Sequence, residues 1–169
     1  EVDFDVVLIA QVTVETTGTM LLGSEIGAAL NALEPLEIDL IGLNCATGPA
    51  EMSEHLRYLS KFANCAISVM PNAGLPILGA KGAEYPLGPD ELAQALETFV
   101  GDYGISLIGG CCGTTPEHLA AVVNKLGAKA IPKRVSNLDP GASSLYQYVP
   151  FRQDNTYLAI GERTNANGS

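Results

Sequence analysis

Tryptophan is missing from this chain of 169 residues, aromatics make up only 6%, and basic side chains are scarce. There are 9 Lys and Arg against 19 Asp and Glu, a formal net charge of −10, and no Lys/Arg cluster. The missing tryptophan excludes little. The charge balance argues against nucleic acid and anionic membrane as partners. No apolar stretch approaches the ~20 residues that cross a bilayer, and no charged-then-apolar leader opens the sequence, so neither a span nor a secretory signal is expected. Four cysteines are too few for a disulfide scaffold. Two of them are adjacent and all lie on apolar segments, which fits a reducing cytoplasm. What is present is 47% hydrophobic content, enough for one sizeable core.

The apolar segments alternate as repeated strand–helix units. Val6-Val7-Leu8-Ile9 reads as a buried parallel strand and Gln11-Val12-Thr13-Val14 as another. Ser24 then caps a helix that runs to about Leu33 and is stopped by Pro35. Ile38 to Asn44 is the next strand, and Pro49 opens a helix to about Phe62 with Met52, Leu56, Leu59 and Phe62 on one face. Ala66 to Met70 is a strand, followed by the loop Pro71 to Pro76 and a helix after Pro89 that buries Leu92, Leu96 and Phe99. Ile105 to Ile108 closes the series. Thr114 and Glu117 then spell a capping box for a helix to about Leu126.

Apolar strands linked by helices imply an α/β fold with a parallel sheet. A doubly wound sheet and a (βα)8 barrel both satisfy this. The first strand lacks the Gly-x-Gly-x-x-Gly turn of dinucleotide sites, which weakens the former. About five strands are too few to close a barrel, so the expectation is a partial one. Residues 129–156 carry prolines, serines and no sustained period, and read as a linker. Tyr157 to Ile160 would start a further strand.

Cys111 and Cys112 end an apolar strand within Gly109-Gly110-Cys111-Cys112-Gly113. Adjacent cysteines do not readily bond to each other, because the small ring strains the peptide between them. Cys45 ends another strand. Three thiolates at the carboxyl ends of parallel strands describe a zinc site with its fourth position open to a substrate. Cys65 lies at a helix-to-strand junction and reads as plain core. His55 and His118 show no metal-ligand spacing and read as surface or capping residues, and Glu15 reads as a solvated loop carboxylate.

The runs Gly42-Leu43-Asn44-Cys45-Ala46-Thr47-Gly48-Pro49, Pro71-Asn72-Ala73-Gly74-Leu75-Pro76 and Gly109 to His118 resemble the homocysteine-binding barrel of zinc-dependent homocysteine methyltransferases. Ile160-Gly161-Glu162-Arg163-Thr164-Asn165 resembles the opening of the folate-binding barrel in the cobalamin-dependent branch of that family, the methionine synthases. The resemblance implies a partial (βα)8 TIM barrel over residues 1–128, a linker over 129–156 and the start of a folate barrel over 157–169. It implies zinc on Cys45, Cys111 and Cys112, homocysteine as substrate, and contacts from Asn72, Thr47 and Gly48. Cobalamin would belong to another domain of the same cytoplasmic enzyme, as would folate-binding and reactivation functions.

The family barrel also has strands upstream of Val6, and its fourth strand ends on a Glu-Thr that receives the substrate amino group. Neither is visible here. Two strands so close, at Val6–Ile9 and Gln11–Val14, leave no room for a crossover helix, so a deletion or gap is expected near Ile9 to Gln11. The chain is therefore expected to be a piece of a larger polypeptide. Competing readings are another zinc-dependent homocysteine S-methyltransferase, a thiol redox protein using Cys111 and Cys112, and a non-catalytic scaffold held by zinc.

Overall fold

The computed structural model describes residues 6–80 and 82–159. Four parallel strands form one sheet: β1 (Ile9–Val12), β2 (Leu40–Asn44), β3 (Ala66–Met70) and, after two strands that lie outside it, β6 (Leu107–Ile108). Their spatial order follows the chain without reversal, β1-β2-β3-β6. Helices α1 (Ile26–Leu33), α2 (Pro49–Phe62) and α3 (Pro89–Tyr103) make the crossovers, and α4 (Pro116–Leu126) follows the last strand. Each helix packs against the next. A mixed α/β architecture with a parallel sheet results, as expected. Between sheet and helices lies a core that includes Leu30, Ile41, Leu43, Leu56, Leu59, Ile67, Val69, Leu92, Leu96 and Ile105, all fully buried. Each such side chain contributes about 1.5–3 kcal/mol by leaving water.

The two helices that carry most of this core start alike. Gly48-Pro49 and Gly88-Pro89 put proline at the first helical position, where no amide proton is needed. Glu51 and Glu91 then turn back to accept the Gly48 and Gly88 N–H at 3.1 and 2.8 Å. The stripe Met52, Leu56 and Leu59 is buried as expected, while Phe62 is only partly so.

Several expectations need correction. The strands expected at Val6–Ile9 and Gln11–Val14 are one strand, β1, in unbroken register from Ile9 opposite Leu40 to Val12 opposite Leu43. Val6 and Val7 are exposed, at 69% and 64%. One strand needs no crossover, so the expected gap near Ile9 to Gln11 loses its reason, and among the described residues the parallel sheet has four strands rather than about five. Ser24 does not cap α1. Glu25 holds that position with extended backbone, and the Ser24 carbonyl accepts from the Met20 N–H instead. The cap of α4 is Thr115, not Thr114, and its reach-back partner is His118 rather than Glu117.

Two hairpins were not anticipated. β4 (Ile77–Gly79) and β5 (Gly82–Glu84) pair antiparallel between β3 and α3. β7 (Gly141–Ser143) and β8 (Tyr148–Pro150) do so within the segment expected to be a linker. That segment is tied down. Arg134 donates to the carbonyls of Ser60, Ala63 and Cys65 at the end of α2. Asn31 on α1 reaches Ser143 at 3.0 Å, and the Glu25 N–H donates to the Tyr146 carbonyl at 2.8 Å. Tyr157–Ala159 form no strand, and Ile160 and the motif Glu162 to Asn165 lie outside the described residues. Among the described residues, no helix is long and apolar enough to cross a membrane.

Candidate metal centre

The carboxyl ends of β2, β3 and β6 converge. Cys45 is the first residue after β2, and its backbone N–H donates to the Met70 carbonyl at the end of β3 at 3.1 Å. Cys45 and Ala46 both adopt left-handed backbone, at φ +60 and +58. Outside glycine this conformation costs roughly 1–2 kcal/mol per residue. A tight turn closes it, with the Thr47 N–H on the Cys45 carbonyl at 2.7 Å. From β6 the chain passes through Gly109 and Gly110 to Cys111, whose N–H donates to the Pro71 carbonyl at 2.7 Å.

Asn72 joins these pieces. It is 2% exposed. Its N–H donates to the Thr47 carbonyl at 3.0 Å, and its Oδ1 accepts the Cys112 N–H at 3.1 Å. Ala73 N–H then donates to the Cys112 carbonyl at 2.9 Å. The loop after β3 is thus the brace between the two cysteine-bearing strand ends, and the buried Asn72 is its central link.

The result is a cluster of three sulfurs. Cys45 and Cys112 Sγ are 3.7 Å apart, Cys111 and Cys112 Sγ 3.9 Å, and all three lie within 4.8 Å of one another. A tetrahedral ion with zinc–sulfur bonds of about 2.3 Å sets its ligand sulfurs about 3.8 Å apart. The donor set therefore fits a soft or borderline cation, zinc foremost. Among the described residues, no His, Asp, Glu or further Cys completes the group. All four cysteines are free.

The sulfurs are not equivalent. Burial, together with hydrogen bonding to Cys45 and Cys112, pushes the Cys111 thiol up to about 11. Hydrogen bonds from Cys45, Tyr85 and Cys111 hold Cys112 below the usual thiol range. Tyr85 is a site residue that sequence reasoning missed. It follows β5, and nothing in its local sequence announces a sulfur partner.

The other candidates are sorted by the same geometry. Thr47 is 2% exposed and acts here through its backbone. Gly48 caps α2 and lines a cavity of about 370 Å³ with Gly74, Leu75 and Leu87. Cys65 is half-buried at the amino end of β3, away from the cluster, and burial raises its thiol. His118 is a capping residue, as expected, and a buried one. Its Nδ1 accepts the Thr115 N–H at 3.2 Å and its Nε2 donates to the Leu87 carbonyl at 2.9 Å. Those two roles require the neutral Nε2–H tautomer. Glu15 is exposed in the turn after β1. Of the sequence-selected residues, then, the fold brings Cys45, Cys111, Cys112, Asn72 and Thr47 into one hydrogen-bonded unit.

A parallel α/β sheet whose strand ends gather three free thiols defines an α/β protein with a candidate thiolate site for a metal ion. The family described as homocysteine S-methyltransferase matches residues 2–126, and the chain belongs to that family. Among curated relatives, the methionine synthase of Mycobacterium tuberculosis (strain ATCC 25618 / H37Rv) is 67% identical over 160 residues, covering 95% of this chain and 13% of the relative. The methionine synthase of Mycobacterium leprae (strain TN) is 66% identical over 163 residues, covering 94% of this chain and 14% of that protein. The chain thus spans about one seventh of the length of these relatives.

Proposed function

We propose that this chain supplies the zinc-binding, homocysteine-activating part of a cobalamin-dependent methionine synthase. The observation that carries the reading is the gathering of three sulfurs within 4.8 Å at the carboxyl end of a parallel sheet, with no His, Asp, Glu or further Cys joining them among the described residues. Cys45, Cys111 and Cys112 would hold the ion as thiolates. A zinc ion there supplies the Lewis acidity that keeps a substrate thiol as thiolate near neutral pH, where a free thiol of pKa about 8.5 is mostly protonated.

The chain's own contribution is to position these donors. Asn72 holds the Cys112 backbone through Oδ1, and so is not free to reach elsewhere without releasing that amide. Thr47 and Gly48 shape the turn beside Cys45, and in this reading they border the substrate. The methyl group would come from methylcobalamin on another domain and ultimately from methyltetrahydrofolate, leaving methionine as product.

The same reading takes the four-stranded sheet as half of an eight-stranded barrel. Sequential strand order supports it, as does the exposed apolar run Val6 to Ile9 beside the free edge of β1. The missing strands, and the folate, cobalamin and reactivation domains, would lie elsewhere in a longer cytoplasmic polypeptide. The division at residues 128 and 156 belongs to this proposal, although Arg134 and Asn31 bind the intervening segment to α2 and α1 rather than leaving it free.

The deciding measurement is zinc per chain with X-ray absorption before and after homocysteine, alongside Cys45→Ser and Cys112→Ser. About one zinc with three sulfurs, rising to four with homocysteine and lost in both variants, is the expected outcome. Losing one of four ligands, from a total near 10–16 kcal/mol, corresponds to roughly 100-fold weaker binding or more. No zinc, or zinc indifferent to both substitutions, would overturn the reading.

A further inference from the structure

The basic residues are few and scattered along the sequence, yet the fold gathers them. Four of the 9 Lys and Arg, namely Arg57, Lys61, Lys133 and Arg134, line one cavity of about 420 Å³. Asp102 is the single acidic residue of that lining, in a chain that carries 19 Asp and Glu. The cavity lies where α2 and α3 end, with Tyr103 in its wall. Each of these helices runs back along the sheet, so their ends stand beside the amino ends of β3 and β6. The sulfur cluster belongs to the opposite end of the sheet.

The gathering has a structural cause. Arg134 donates to the carbonyls of Ser60, Ala63 and Cys65, and the Asn137 N–H donates to the Lys61 carbonyl at 3.1 Å. These bonds lay residues 132–137 along the end of α2 and bring Lys133 to the same cavity as Lys61 and Arg57. Gly104 makes room for them. It ends α3 at φ +64, and a Cβ there would come within 2.6 Å of Arg134 Cγ. Cations at a helix C-terminus need no ligand to explain them, because the last carbonyls attract positive charge. That accounts for Arg134 and for Lys61 in the last turn of α2. It does not account for Lys133, or for Arg57, which lies more than a turn before the end of α2. Among the described residues, no carboxylate stands within ion-pair distance of Lys61, Lys133 or Arg134. Arg57 alone of the four is paired, with the exposed Glu54 at 3.1 Å.

We propose that this cavity binds a small anion of more than one negative charge, carried on phosphate or carboxylate groups. Arg57, Lys61 and Lys133 are its contacts, and Arg134 is the fixed post that positions Lys133. Like charges lining one cleft repel one another and focus a field that concentrates ions of the opposite sign. Arginine offers a planar fork that matches phosphate or carboxylate, and lysine adds a mobile point charge. The volume is that of a small-molecule site. The site stands apart from the sulfur cluster and does not rest on the three-thiolate reading.

Equilibrium dialysis of the full-length protein against labelled inorganic phosphate, and separately against labelled succinate, tests it. Saturable binding is expected, weakening as salt rises because exposed charges are screened. The probe held more tightly identifies phosphate or carboxylate as the group recognised. Lys133→Gln and Lys61→Gln should each weaken binding up to about 5-fold, the upper end for an exposed charge pair. Asp102→Asn removes the opposing carboxylate and should tighten binding, a gain that a misfolded variant cannot give. Lys125→Gln, which breaks an ion pair with Glu97 outside the cavity, should leave it unchanged. No saturable binding of either probe, or binding indifferent to both Lys133→Gln and Asp102→Asn, would overturn the inference. An equal loss in Lys125→Gln would overturn it too, by showing attraction to net charge rather than to this cavity.

Discussion

At the end of β2 the turn that presents Cys45 contains no glycine among its left-handed residues: Cys45 and Ala46 both carry positive φ. At the end of β6 the turn that presents Cys111 and Cys112 is built on Gly109, Gly110 and Gly113, and only Gly113 of that run lies in the left-handed region. The two strand ends deliver sulfur to the same point, one under backbone strain and the other with little. Non-glycine residues persist in left-handed backbone only where their surroundings over-determine them. Around Cys45 those surroundings are the Met70 carbonyl, the Thr47 amide and, one step removed, Asn72. The β2 turn is therefore a spring held by the β3 loop, whereas the β6 turn is shaped by its own sequence and by the tyrosine above it.

Gly113→Ala attacks the relaxed side and should have the larger effect. It forces a Cβ into left-handed backbone and against the Tyr85 ring, at a cost of about 2–3 kcal/mol in chemical denaturation. Ala46→Gly relieves the strained side. It should stabilise the protein by up to about 1 kcal/mol, because glycine adopts φ +58 without steric cost, an advantage offset in part by its greater freedom when unfolded. If Ala46→Gly destabilises instead, the turn at Cys45 is not under strain and the contrast between the two ends fails.

The contrast extends to the sulfurs. In metal-free protein near neutral pH, Cys112 should be alkylated before its neighbour. Its thiol is held low by Cys45, Tyr85 and Cys111, while burial pushes Cys111 up to about 11. Only the thiolate reacts. The sign for stability follows from the raised value at Cys111. The proton it binds more tightly when folded favours the folded state below about 9, its ordinary value, and that contribution is lost as pH climbs towards 11. Site-resolved mass spectrometry of the labelled peptide checks the order. Equal labelling of Cys111 and Cys112 would remove the asymmetry.

How much of this could be read beforehand differs between the same two regions. The glycines around Cys111 and Cys112 advertise a tight approach, and the cysteine pair itself points to a metal. Elements opened by proline with a carboxylate three residues beyond glycine, at Gly48 and Gly88, were legible as helix starts, and the strand Ala66–Met70 has the bounds expected of it. The first strand was misread because Val6 to Val14 is nearly continuous in apolar and β-branched residues. Only the presence of β2 alongside selects Ile9–Val12. The hairpins β4–β5 and β7–β8 escaped for the opposite reason: strands of three residues are too short to show an alternation, and Gly82-Ala83-Glu84 and Gly141-Ala142-Ser143 carry almost no strand preference. Tyr85 and the Asn72 brace depend on contacts 28 and 40 residues away in the chain, to Gly113 and Cys112, and no local pattern encodes those.

The smallest expected effect tests whether the β6 turn carries any hidden strain of its own. Thr114 Oγ1 is fully enclosed and has no hydrogen-bond partner among the described residues, while its main-chain N–H is satisfied by the Cys111 carbonyl at 3.1 Å. An enclosed hydroxyl without a partner costs up to about 1–3 kcal/mol, although here it sits on a half-buried residue and next to glycine backbone. Thr114→Val preserves shape and branching and removes only the unpaired oxygen. Stability should therefore be unchanged or rise by less than about 1 kcal/mol, with zinc affinity as in the wild type. A fall in zinc affinity without a fall in stability would mean that the hydroxyl turns to a ligand sulfur once metal is held, and the β6 end would then owe its order to that hydroxyl as well as to glycine and the Tyr85 ring.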